Sequence, residues 1–519
     1  MTAPLRRLTL SDWPVDERRA MTAAAIGLFG SFFISATWGC VILPVQRAFA
    51  MAVDGEILLR QLPDIAGLLM IPTIGAFGAS VSSGRMLAAA ACMATAGAVI
   101  ATLAPTQGWL LAGLALMNVG RSVVGVAAFA SVGEAITHEG RRTSAYAALG
   151  AVAPVAFITG PVLATWLSGM GSWRLVASCW IASGMLVASA AWLSRTAAAR
   201  PAKVQRDARR EPFTPLLAGL TLVGVVQSLG VMAVHGPGSG HAMAWMSGTL
   251  ASGAAWFALS RVFRASTVGG RTLQVPGLWP ILMVAMIGQC GDLWFYVAAI
   301  ARFMHQLTPL QVSLSMLAAQ FAGLLGAWAA AWLIHRVGLR LAGTLLMAAY
   351  AITMFASCAQ TIDQPLWFAI AVLCVAAVAE LGSGVCLSTA IMSCATQGLD
   401  RSVSSCRSAA MGIGNAITVL LVAASVSHAM ATSIRLEAEA RNVSPSSVEA
   451  LAVAVRDNVP ISKIGPELDL SPTLVQELRQ VRRGVMVHGF QVHGWVSGTV
   501  LTVAAVGFWV VRRDARPAA

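Results

Sequence analysis

Four ionisable residues, Asp64, Arg121, Asp292 and Glu380, stand inside long apolar stretches of this chain. Crossing about 30 Å of hydrocarbon takes about 20 apolar residues, and each of the four interrupts a run of that kind. A charge at such depth costs at least about 2.5 kcal/mol by insertion scales, so it normally faces a polar cavity and works there. Glu380 lies near the middle of its run, with Ser383, Gly384 and Leu387 on the same face. That position suits a group that takes up and releases a proton. Asp292 shares a helical face with Gln289 and Tyr296 and is bordered by Phe295. A carboxylate beside aromatic rings attracts an organic cation by charge and by the ring quadrupole. Trp38, in the first run, is a further aromatic candidate for such a ligand. Asp64, with Gln61 on its face, falls near the outer end of the second run, where an interfacial or gating role is as plausible as coupling. Asn118, Arg121, Ser122 and Gly125 recur at helical spacing on one face.

These residues make no catalytic set. The sequence has no nucleophile–base pairing, no zinc or Cys-x-x-Cys spacing and no nucleotide-binding loop. It is therefore read as a non-enzyme without cofactor or metal, and not as an ATP-driven pump. His235 with His241 and His488 with His493 are spaced to touch a metal, but they read as solvated loop histidines. The nine cysteines all fall in or beside apolar runs, as small packing residues do.

The elements that must position these groups are membrane helices. Charged residues make up 11% of the chain, against about 25% in soluble domains. Fourteen apolar segments can be marked, so the expected fold class is an all-α membrane protein with fourteen transmembrane helices. The chain divides into an N-terminal segment (1–21), six spans (22–194), a linker (195–212), two inserted spans (213–262), five spans (263–431), a polar stretch (432–488), a last span (489–511) and a tail (512–519). Arginines crowd alternate loops. The positive-inside rule then puts both termini and the linker in the cytoplasm, and 432–488 outside. The net charge of +13 follows from that distribution and not from a nucleic-acid surface. In 432–488 the charges balance. Ser446 with Glu449 makes a capping-box spacing, and Pro472 opens a helix running to about Arg483, so a folded outer helical loop is expected. The excess of Arg over Lys points weakly to a bacterial inner membrane.

Short signatures resemble one family. Gly150 to Pro161 resembles the fifth-span motif of the drug:proton antiporters, which ends in Gly-Pro, and Ser172-Trp173-Arg174 is similar to the Ser-Trp-Arg that follows it. Arg121 to Gly125 resembles the family's Arg-x-x-Gln-Gly, with Val124 in place of Gln. His335-Arg336-Val337-Gly338-Leu339-Arg340 resembles its cytoplasmic Asp-Arg-x-Gly-x-Arg loop, with His335 at the Asp position. The loop from Gly78 to Arg85 is a degraded copy. Val41 to Pro44 resembles the Ala-Leu-Pro that ends span 1, but Ser35 stands where many relatives hold Asp. On these motifs the chain is identified as similar to the fourteen-span EmrB/QacA-type antiporters of the major facilitator superfamily. That resemblance implies two six-helix bundles plus two extra central spans, rocking about a small-molecule site between the bundles. It implies a part for Arg121 in proton coupling, and conformational parts for Gly150, Gly160, Pro161, Arg336, Gly338 and Arg340. It also implies export of an amphipathic or cationic drug against protons from the inner membrane, with a periplasmic adaptor protein as the one protein partner to consider. Ser35 leaves open an uncoupled or importing carrier. A non-transporting sensor that uses 432–488 is the alternative from another class.

Overall fold

The computed structural model describes residues 13–51, 53–78, 81–196, 213–235, 238–262, 272, 274–291, 293–361, 363–395, 398–418, 436 and 472–511. Most of the expected linker 195–212 (197–212), most of the outer stretch 432–488 (432–435 and 437–471) and the tail (512–519) therefore lie outside the described residues, as does Asp292. All regular structure among the described residues is helical. Nine helices there are long and apolar enough to cross a membrane.

The first half comprises α1 (Val15–Ala48), α2 (Val53–Gly78), α3 (Ser83–Leu103), α4 (Gln107–Ala135), α5 (Glu139–Gly169) and α6 (Trp173–Thr196). These pack as one bundle, with α3 against α4 and α6, and α1 against α4, α5 and α6. Small residues let the axes approach. The Gly97, Gly113 and Gly120 positions leave no room for a Cβ between α3 and α4. α5 carries Pro154 and Pro161 in its interior, each removing a backbone donor.

α7 (Phe213–His235) and α8 (Gly240–Val262) form a hairpin. Val223 of α7 clusters with Leu68 and Ile71 of α2 and with Ile413, so α7 covers the seam where the two halves meet. α8 is largely exposed, as a lipid-facing helix would be.

The second half begins with a span that is not one helix. α9 (Leu278–Ile287) stops, the chain turns through Gly288–Gly291, and α10 (Leu293–Ala299) runs into a π-helical turn, Ile300–Met304. α11 (Pro309–Ser315) opens on a capping box between Thr308 and Gln311. α12 (Leu317–Ser357) is two helices meeting at Gly338, whose φ of 82° only glycine adopts without strain. α13 (Leu366–Met392), α14 (400–418) and α15 (Pro472–Val511) complete the bundle. α15 is described from Pro472 and runs unbroken through the last apolar run, so the helix expected to end near Arg483 and the last span are one helix. α12 packs on α13 and α15, and it meets α5 across the seam between halves.

Candidate functional site

Three polar assemblies stand out inside this apolar frame. The first lies in the N-terminal bundle. Arg121, midway along α4, donates from Nε to the Ser31 carbonyl at 3.1 Å, to Asn118 Oδ1 at 2.5 Å, and to the hydroxyl of Ser35. Asn118 is one turn before Arg121 on α4, and Ser31 and Ser35 are one turn apart on α1, so helical spacing alone builds the cradle. A cation at this depth is held by a carbonyl, an amide and a hydroxyl. Gly160 lets α5 close on Ala36 and Thr37 of α1, where an added Cβ would lie 2.8 Å from Ala36. Trp38 packs edge-on to Trp180 at 5.8 Å, and Trp180 donates to Thr37 at 2.9 Å.

The second assembly surrounds the broken span. Trp294 of α10 donates from Nε1 to the Glu380 carboxylate of α13 at 3.0 Å. Interrupting a membrane helix frees carbonyls that must be satisfied from elsewhere. Here Tyr350 of α12 donates to the Gly291 carbonyl, and Thr418 of α14 donates to that of Gln289 at 2.6 Å. Gln289 lies against Gly414 of α14. Tyr296 is 2% exposed, its ring 4.0 Å from Phe490 and 4.6 Å from His493 of α15. It is packed inside the bundle. A small apolar recess beside it is walled by Leu293, Val297, Ser357, Phe368 and Phe490. Asp64 and Phe295 are on α2 and α10, but their side chains lie outside what is described. The expected ligand groups Gln289, Tyr296 and Trp38 thus sit in three separate environments.

The third assembly was not expected from the sequence, and it joins the two halves. On the arginine-rich side Arg401 pairs with Glu134 at 2.8 Å and also donates to the Val81 carbonyl and Ser83. Arg142 pairs with Asp400 at 3.3 Å and donates to the Met392 carbonyl at 3.0 Å. Burial raises the Asp400 carboxyl above the usual carboxylate range, and the neighbouring Arg142 and Arg401 only partly offset it. Serines of α14 stitch the helices further. Ser405 donates to Ile71 at 2.7 Å, Ser404 to Val126 at 2.9 Å and Ser402 to Gly75 at 3.4 Å, all carbonyls of the first half. One turn beyond, the guanidinium of Arg407 lies 3.5 Å from the centre of the Phe129 ring and donates to Ser388 at 2.9 Å. Gly150 of α5 meets Val385 of α13 across the same seam, with 2.6 Å left for a Cβ. The Gly338 loop contributes less than its motif implies. His335 reaches Ser144 of α5 at 3.4 Å, whereas Arg336 lies over Trp332 and Arg340 binds the Trp509 carbonyl, both within their own half. The signal for the true fasteners was Asp400-Arg401 and Glu134 with Arg142, opposite charges placed just where apolar runs end.

Residues 28–426 match the Major Facilitator Superfamily. The chain belongs to that superfamily. A member of the Major Facilitator Superfamily is a multi-pass membrane carrier and not an enzyme, and the helical architecture agrees. The chain is 22% identical over 450 residues to the methyl viologen resistance protein SmvA of Salmonella typhimurium, covering 85% of this chain and 87% of that protein. It is 27% identical over 241 residues to an uncharacterized MFS-type transporter of Mycobacterium tuberculosis, covering 46% of this chain and 33% of that one. Among solved structures it is similar to an outward-facing bacterial homologue of the iron transporter ferroportin, with TM-score 0.57, 11% identity, 97% of this chain and 100% of that chain. It is also similar to the human organic anion transporter MFSD10, with TM-score 0.57, 13% identity, 96% of this chain and 100% of that chain.

Proposed function

We propose that this carrier exports amphipathic small molecules, organic cations among them, from the cytoplasm in exchange for protons. Fourteen spans would be arranged as two six-helix bundles, α1–α6 and α9–α15, with α7 and α8 added at the seam. The arginine-rich side would be cytoplasmic, both termini with it, in a bacterial inner membrane. The observation that carries the reading is the paired-charge seam: Arg401 with Glu134, and Arg142 with Asp400, one member of each pair in each half. Contacts of that kind hold two rigid bodies closed on one face, yet they can be exchanged for water when the bodies rock. That is what alternating access requires. The likeness to a methyl viologen resistance protein supports export and a cationic substrate. Glu380 is the favoured proton carrier and Asp292 the favoured counter-charge for substrate, with Arg121 and Asp64 as further coupling candidates. A periplasmic adaptor protein would be its protein partner.

The test is transport by purified protein in vesicles under an imposed proton gradient. Accumulation that collapses with an uncoupler, and is lost in Glu380→Gln, supports the reading. The second reading, an uncoupled carrier, has its own observation: Ser35, a donor-acceptor hydroxyl bonded to Arg121, stands where the resemblance leads one to expect an acid. Transport indifferent to the uncoupler would favour it.

A further inference from the structure

We infer that the Phe129 ring face and the Glu134 carboxylate of α4 form a binding site for planar aromatic cations at the arginine-rich mouth, a site that Arg407 and Arg401 of α14 occupy whenever that mouth is closed. The inference rests on the reading that the carrier loads substrate from this side.

The argument starts from Arg407. A guanidinium is a flat, delocalised, weakly hydrated cation. Here it is set 3.5 Å from the centre of Phe129, which is 6% exposed. Phe129 in turn stacks on Tyr146 of α5, with centroids 5.8 Å apart and planes 17° apart, and Tyr146 is 1% exposed. A ring face that accepts a guanidinium accepts a pyridinium or phenanthridinium by the same quadrupole attraction, and it adds stacking. Five residues on, roughly 7.5 Å along the helix, Glu134 holds the second α14 cation, Arg401, at 2.8 Å.

The ownership of these groups matters. Both acceptors, the ring and the carboxylate, belong to the first half. Both cations belong to one helix of the second half, six residues apart. When the halves separate on this side the two arginines leave together, and α4 is left presenting an aromatic face and an acid to the incoming solution. Closure puts the arginines back, so a bound cation must depart before the mouth seals. The protein carries its own competitor for the entry site. Arg142, 5.9 Å from the centre of the Tyr146 ring, belongs to the same half and loses Asp400 on opening. Its repulsion disfavours a compact ammonium and leaves the advantage to charge spread over rings.

The experiment uses the full chain in lipid nanodiscs and equilibrium binding of ethidium, followed by fluorescence anisotropy. Arg407→Gln removes the competitor and should bind ethidium about tenfold more tightly than the natural chain. Adding Phe129→Leu to Arg407→Gln should return affinity to the natural value or below. Phe129→Trp in the same background should keep it and show that the position tolerates change. Tetrabutylammonium, charged but without rings, should displace ethidium poorly. Three results would each overturn the site: no binding to either the natural chain or Arg407→Gln, no gain in Arg407→Gln, or a gain that survives Phe129→Leu. Proton-driven export of ethidium by the natural chain is measured separately in vesicles. Its absence would sink the exporter reading alone, and its presence with unaltered binding in these variants would sink only the entry site.

Discussion

Arg121 of α4 donates to the hydroxyl of Ser35 on α1, at the position where the resemblance leads one to expect a carboxylate. The same guanidinium donates to the Ser31 carbonyl and to Asn118, neutral acceptors fixed by two adjacent helices. The guanidinium's fork reaches all three, and a Lys ammonium at the end of a single stem would not. Arg121→Lys should therefore lower transport about tenfold or more at unchanged membrane abundance. Ser35→Ala, which leaves the other two acceptors in place, should cost less than about threefold. Initial transport rates in vesicles, normalised to protein, decide this. Equal losses would mean that Ser35 is as important as the arginine itself.

Glu380 and Trp294 tie α13 to the seven-residue α10, between a helix break and a π-turn. If Glu380 carries the proton, Glu380→Gln should abolish uphill transport while substrate binding remains measurable. An amide still accepts the Trp294 hydrogen bond, so the fold should survive. Asp292→Asn should instead weaken substrate binding. Full uphill transport by both variants would remove the two acids from the mechanism and shift weight to Asp64.

Two glycines of α5 separate packing from gating. Gly160 faces Ala36 of its own bundle, and Gly150 faces Val385 of the other half. Overpacking a tight contact costs about 1–3 kcal/mol, but the two positions spend that cost differently. Gly160→Leu should lower thermal stability and block transport without stopping insertion. Gly150→Leu should leave the bundles stable and hold the halves apart, so that a cysteine placed on the arginine-rich side of the seam reacts faster with a membrane-impermeant thiol reagent. Normal transport by Gly160→Leu would overturn the fifth-span motif assignment.

The membrane class and the placing of Arg121 and Glu380 on helices were legible because apolar periodicity and scarce charge report burial directly. What could not be read was pairing. Asp400 and Glu134 look like ordinary loop-edge charges until the fold brings 258 and 267 residues of separation down to one hydrogen bond. Gln289 and Tyr296 do not lie on one continuous helix. The helix is interrupted between them, so a continuous 3.6-residue period does not apply. Arg336 and Arg340 lie over the rings of Trp332 and Trp509, within their own half, which the motif's spacing did not reveal.

Asp400 gives the seam a pH dependence whose sign is opposite to that of a simple ion pair. Burial raises its pKa in the closed form, beyond what Arg142 and Arg401 offset. Once the mouth opens, water returns the carboxyl toward the ordinary value near 3.9. The closed form then binds the proton more tightly than the open form. Falling pH in the window between those two values favours closure, and rising pH through it favours opening. Labelling of a seam cysteine should accordingly slow on acidification. Asp400→Asn, neutral throughout, should flatten that dependence at the slow-labelling end. Faster labelling in acid would show that loss of the Arg142 attraction outweighs burial.

Arg401 and Glu134 permit the sharpest test of the seam, because loss of the arginine strands its partner. Arg401 is 4% exposed at its side chain and Glu134 22%, so removing Arg401 leaves a mostly buried carboxylate without its cation. Breaking such a pair costs about 3–5 kcal/mol, and here the cost falls on the closed form alone, since in the open form both groups are hydrated. Arg401→Gln should therefore leave the carrier open on the arginine-rich side, with transport reduced at least about tenfold and the seam cysteine reactive. The reversed pair, Glu134→Arg with Arg401→Glu, should restore part of the closure. Restoration cannot be complete, because Arg401 also donates to the Val81 carbonyl and to Ser83, which a glutamate cannot do. Labelling slower in the reversed pair than in either charge-reversed single variant would establish that the two residues act through each other. Labelling as fast as in the worse single variant would mean that the halves are held by the α14 serines and the Arg407–Phe129 contact instead.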